Sequence, residues 1–175
     1  GYPLCGASTN VLALDELEAA LDERDWDPEF RGITGWHRHP SYTRMRAENI
    51  DRFAEEKGID LQAEETAVVF SAHGTPTHYL DEGSRYDIYV EEFCEVLASM
   101  LDLEEYHVGF QNHENRNIEW TEPETEEAIE SVDAERVVVE PISFMHEQSE
   151  TLSELDIELR EEADEEGLAL YRVPI

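Results

Sequence analysis

Three short runs of β-branched and aromatic residues, each followed by a stretch with helical spacing, restrict what this chain can fold into. The runs are 66–71 (TAVVFS), 106–110 (YHVGF) and 136–144 (RVVVEPISF). None shows the apolar–polar alternation of a half-exposed strand, so they read as strands buried on both faces. Segments 86–101, 123–131 and 147–165 carry apolar residues at helical intervals, as do 14–21 and 41–57 upstream. Segment 33–36 (ITGW) reads as a weaker strand and 168–173 (LALYRV) as a final one. Strands alternating with helices over short loops predict an α/β fold: an open, mainly parallel sheet with helices on both faces. Ligands of such sheets sit at the carboxyl ends of the strands, so chemistry is expected just after each run.

Charge decides which partners such a fold can meet. The 175 residues include 44 Asp or Glu against 12 Lys or Arg, a net charge of -32. Nucleic acid and anionic membrane surfaces both require a basic footprint, so neither is an expected partner. Lys57 is the sole lysine and the other cations are arginines. That pattern fits a halophilic, salt-rich cytoplasm, where a Debye length of about 3 Å at molar salt screens self-repulsion. Most of the acids therefore read as solvated surface. Cys5 and Cys94 stand alone, so no disulfide framework, structural zinc or iron–sulfur cluster is expected. No apolar run is long enough for a transmembrane segment and no signal segment opens the chain, which reads as cytoplasmic. A start at Gly1 without methionine and a stop at Ile175 just after an apolar stretch point to a piece of something longer.

Three loops qualify for chemistry. After the first run stands Ser71-Ala72-His73-Gly74-Thr75-Pro76. A histidine at a strand's carboxyl end can serve as base or metal ligand near neutrality, and the glycine behind it is expected to let the backbone turn. A loop histidine satisfying a backbone carbonyl is the plainer reading. His37, His39, His78, His107 and His113 read as surface or interior polar residues.

After the third run comes Met145-His146-Glu147-Gln148-Ser149-Glu150, leading into a Glu-rich helix. At about 100° per residue, Glu150, Glu154 and Glu158 fall within roughly 80° of one another, with Leu152, Leu155 and Leu159 on the far side. The i, i+4, i+8 carboxylates form a ladder beginning where a buried strand ends. Hard oxygen donors beside an imidazole suit a divalent first-row metal, and a wet acidic face is the alternative. The second run leads into 111–120, a polar loop closing on Trp120, which offers either a wall for a flat ligand or an anchor for the next helix.

Taken together and in this order, these segments resemble the ferrochelatase family, nearest to its plant and cyanobacterial members. The family's FSAHG/S-x-P pattern stands here as Phe70 to Pro76, with His73 at its centre. Its P-I-[SAG]-F signature followed by E-T-L-x-E-[LI]-D-[IV]-E stands as Pro141 to Phe144 and Glu150 to Glu158. Tyr2-Pro3 with Ser8-Thr9, the Trp36, Pro40, Tyr42 spacing, Gly83 with Tyr86, and Gln111 with Trp120 and Pro123 match further family positions. The chain departs from the family at Ser84, Arg85 and Asn112, and at Gln148, where the family has a histidine; His146 is the candidate substitute.

The resemblance implies a Rossmann-like chelatase half, with 1–30 a remnant of a first domain and crossover and 31–175 the second domain. It implies insertion of Fe(II) into protoporphyrin IX or coproporphyrin III in haem biosynthesis, with loss of two protons. Iron is then a substrate and no permanent cofactor is expected. His73 and Glu150 would be the catalytic pair, one taking pyrrole protons and the other guiding iron. Glu154 and Glu158 would extend the metal or proton path, and Trp120 would hold the macrocycle. A missing amino-terminal half would complete the cleft. A chelatase for sirohydrochlorin, or a non-catalytic tetrapyrrole- or metal-binding half-domain, are the competing readings.

Overall fold

The computed structural model describes residues 3–113 and 117–175, except the side chain of Ser8. Tyr2 of the opening segment, and Glu114, Asn115 and Arg116 of the 111–120 loop, lie outside the described residues.

Four strands, β1 (Thr66–His73), β2 (His107–Gln111), β3 (Arg136–Pro141) and β4 (Ala169–Arg172), form one all-parallel sheet in the order β2-β1-β3-β4. The three runs and the final strand thus fall where the pattern puts them. Segment 33–36 is not a strand: Ile33 is 74% exposed and Gly35 turns the chain at φ 64°. That leaves no continuous extended backbone to pair, and Trp36 packs edge-on against Tyr42.

Alternate residues of the strands face two separate cores, as a pleated strand requires. Val68, Phe70 and Val138 point toward α2 (Pro40–Lys57) and α4 (Tyr86–Met100), whose Tyr42, Ile50, Phe93 and Leu97 fill that side. Val69, Val137 and Val139 meet α5 (Thr125–Glu130) and α6 (Leu159–Glu165) with the helix at Glu150–Glu158. Pro40 at the first helical position and the His39 ring, which accepts from Ser41 N–H at 3.3 Å, open α2. A five-residue helix, α3 (Thr77–Asp81), follows the His73 loop. Near the amino terminus a π-turn at Ala7–Val11 leads into α1 (Leu12–Asp22), none of whose residues is buried.

Glu150–Glu158 is a π-helix, with the Leu159 N–H bonded to the Glu154 carbonyl five residues back. This corrects the assumed 100° spacing. With more than four residues per turn, residues four apart lie nearly in line. Thr151, Leu155 and Leu159 therefore form the buried row, and Leu152, expected on the packed side, is 49% exposed. Glu150, Glu154 and Glu158 make the adjacent row.

The cleft at the carboxyl ends of β1 and β3

From β1 the chain runs through α4, on one face, to β2; from β3 it runs through the π-helix and α6, on the other, to β4. The two exits diverge, opening a crevice at the switch point of the strand order. A cavity of about 350 Å³ lies there, and His73, Trp120, Phe144 and Glu150 are among its walls. The structure thus brings together three of the five residues singled out in the sequence. Glu154 is set behind the cleft, and Glu158 is exposed at the far end of the row, accepting from Ser153 Oγ at 3.1 Å. Among the described residues no three His, Cys, Asp or Glu side chains converge as a preformed metal cage.

A closed ring of three hydrogen bonds holds the His73 backbone. Its N–H donates to Ser143 Oγ at 2.8 Å, the Tyr86 hydroxyl donates to its carbonyl at 2.8 Å, and Ser143 and Tyr86 hydroxyls meet at 3.1 Å. Burial pushes the Tyr86 phenol up to about 12, against the lowering effect of Ser143, so it stays a donor. The His73 ring is fixed as well. Its Nδ1 lies 2.7 Å from the Gly74 carbonyl, which can only accept, so Nδ1 carries a hydrogen and the lone pair of the neutral ring falls on Nε2.

Gly74 is not there to turn the backbone, as the sequence reading expected; it has no left-handed φ. Space demands it. Its N–H donates to the Gln111 carbonyl at 2.7 Å, and a Cβ would stand 2.9 Å from that oxygen and 1.8 Å from Asn112 Oδ1.

Sequence reasoning passed over His113. Its ring lies 5.3 Å from His73 and 5.4 Å, edge-on, from Trp120, so it stands between the two in the cleft. The rule that selected His73 would have found it, because it follows β2 by two residues. Gln148, not His146, lines the cleft, and His146 is exposed. Phe144 closes another side, its ring 6.3 Å from that of His73.

The two nearer carboxylates are pushed apart electrostatically. Burial acts to raise Glu150, but hydrogen bonds from Ser149 and its own backbone, with the charges of His73 and His113, bring it below the ordinary range. Glu154 is raised, first by burial and also by Glu150 and Glu158, against the hydrogen bond from Gln111 and the charge of His113. Glu150 is the standing anion of the site and Glu154 the easier to protonate.

The sequence matches the ferrochelatase family over residues 1–175. This chain belongs to the ferrochelatase family. Relatives named ferrochelatase include proteins from Synechococcus sp. strain CC9311, 38% identical over 98% of this chain and 46% of that protein, and strain RCC307, 35% identical over 98% and 45%. A third, from Synechocystis sp., is 37% identical over 99% of this chain and 46% of its own length. The chain spans about half the length of the curated relatives it matches. Of the two family signatures, His73 to Pro76 and Ser143, Phe144 and Glu150 line the cleft, whose other walls include Leu4, Thr9 and Tyr86 besides Trp120.

Proposed function

We propose that the protein containing this chain inserts Fe(II) into a porphyrin in haem biosynthesis. The observation that carries this reading is the meeting of His73, Glu150 and the Trp120 ring in one cleft at the switch point of a ferrochelatase-family sheet. Two pyrrole N–H bonds break, their protons leave to bases, and the ring nitrogens' electron pairs bind the metal; no electron transfer is needed. His73, whose neutral ring presents its lone pair at Nε2, is suited to accept a pyrrole proton. Glu150, held anionic, is suited to meet the cation, and Glu154 and Glu158 extend a row of weak, exchangeable oxygen donors. Trp120 and Phe144 supply apolar ring faces for the macrocycle. Family membership favours a porphyrin over sirohydrochlorin.

The cleft completes itself, in this reading, against a further amino-terminal half, with 1–30 belonging to the crossover and 31–175 to the second domain. Supporting it are the chain's half-length match and exposed Val11, Leu12, Leu17 and Trp26 before, on and after a helix with no buried residue. Among the described residues no helix is long and apolar enough to cross a membrane. We place the protein in a salt-rich cytoplasm, on its acidic, lysine-poor composition.

Supplying protoporphyrin IX, coproporphyrin III and sirohydrochlorin side by side with Fe(II) to the full-length gene product tests the reading. Insertion into one of the porphyrins, lost in His73→Ala with unfolding unchanged, is the expected result. Wild-type turnover in His73→Ala, or metallation of sirohydrochlorin alone, would overturn it.

A further inference from the structure

The π-helix that carries Glu150 and Glu154 leans on one buried side chain outside the catalytic pair. Gln111, 5% exposed at the carboxyl end of β2, spends its amide nitrogen on that helix. Nε2 donates to the Glu150 backbone carbonyl at 3.0 Å and to Glu154 Oε2 at 3.0 Å. Its Oε1 accepts from Ser71 Oγ at 3.3 Å, and Ser71 Oγ is 2.9 Å from the hydroxyl of Thr125, the first residue of α5. The amide orientation follows from its neighbours. Reversed, Oε1 would face a carbonyl and a carboxylate, acceptor against acceptor.

The helix does not need Gln111 to stay attached. Thr151, Leu155 and Leu159 root it in the core, and Arg172 grips it from the other side through Asp156 and through Glu147 just ahead of it. What Gln111 adds is a fixed place for the second carboxylate of the row. The chemistry of the donor matters too. A guanidinium at this position would neutralise Glu154, whereas a neutral amide holds one oxygen and leaves the charge and the other oxygen for a cation.

We propose that Gln111 is a positioning residue for iron delivery, setting the Glu154 carboxylate and the first turn of the π-helix against the cleft. The proposal rests on the chelatase reading above and assigns a role within that same site.

Gln111→Met removes both donated bonds at similar size, and Gln111→Glu replaces the donor by an acceptor without changing shape. Ser71→Ala removes only the contact that orients the amide. In the full-length gene product, steady-state dependence on Fe(II) and on porphyrin is measured separately, with thermal unfolding followed in parallel. Loss of a hydrogen bond to a charged group sets the scale: the Fe(II) KM should rise roughly tenfold or more in Gln111→Met and Gln111→Glu, and less in Ser71→Ala. The porphyrin KM should stay within about twofold, because uniform loss of the site would move both. An unchanged Fe(II) KM in both Gln111 variants overturns the proposal while leaving the chelatase reading intact. So does a parallel change in both KM values and the unfolding temperature, which marks a structural role. A wild-type protein that metallates no porphyrin overturns both.

Discussion

The two faces of the sheet are filled by different chemistry. Against α2 and α4 the filling is large and aromatic, with Tyr42 stacked on Phe93 at 5.6 Å between ring centres. This face also holds the ion pair of Arg46 and Glu140, both buried, with Arg46 donating to the Pro141 carbonyl at 3.4 Å as well. Burial raises the Glu140 carboxyl against the pull of Arg46. Against α5 and the π-helix the filling is aliphatic and thinner, and hydroxyl, amide and carboxylate groups run in sequence from Thr125 through Ser71 and Gln111 to Glu154. One face keeps a charge pair away from the cleft and reaches it through the Tyr86 hydroxyl on the His73 backbone; the other passes a row of polar contacts toward the acidic helix. Stability and metal handling are therefore expected to be separable by face.

The sharpest test is the buried pair. Glu140→Ala should destabilise the fold by about 3–5 kcal/mol, since Arg46 is left charged without its partner, and leave the Fe(II) KM of the folded fraction unchanged. Arg46→Met with Glu140→Val together should return most of that loss. Denaturant midpoints at constant high salt measure both. Leu155→Ala is the way to break the comparison: it should cost about 2–5 kcal/mol and also shift iron dependence, because Leu155 roots the ladder helix. If only stability moves, the π-helix face is as inert as the other.

Smaller effects follow along the acidic row. Glu154→Gln should raise the Fe(II) KM by roughly tenfold, the scale of one charged ligand interaction, with little change in unfolding temperature. Glu158→Gln, exposed and farthest from the cleft, should do less, and an equal effect from both would place the iron path outside the sheet face. Least of all is Glu147. Burial acts to raise it, but hydrogen bonds from Arg172, the Ile175 N–H and Thr151 hold it below its ordinary 4.5. Its contribution is thus fully present above about pH 4.5 and is lost as pH falls through the lower folded value. Wild type and Glu147→Gln should differ in urea midpoint near pH 7 and converge under acid.

Much of this architecture was legible in the chain. The buried strands announce themselves because 66–71 and 136–141 are β-branched without alternation, and His73 and Glu150 could be placed because parallel sheets put chemistry at strand ends. What stayed hidden depends on contacts across distant segments. Nothing local says that 150–158 takes wide turns, so Leu152 was assigned to the wrong side and Thr151 missed. The brevity of Ile33 to Trp36 concealed that Gly35 takes a positive φ. Tyr86 and Ser143 stand at family-matched positions with no role assigned, and only the fold closes their ring on His73. His113 was overlooked because a histidine in an acidic loop reads as solvated until β2 sets it beside His73.

Gly74 gives the cleft a dimension that side chains do not control. Two main chains, the His73 loop and the exit of β2, lie in hydrogen-bonded contact there, and any Cβ would act as a wedge between them. The width of the cleft elsewhere is set by side chains, Trp120 and Phe144 among them. The seam at Gly74 is a matter of backbone spacing: a side chain at this position, such as the serine of the family pattern, requires the Asn112 amide to move aside and the two strand exits to ease apart.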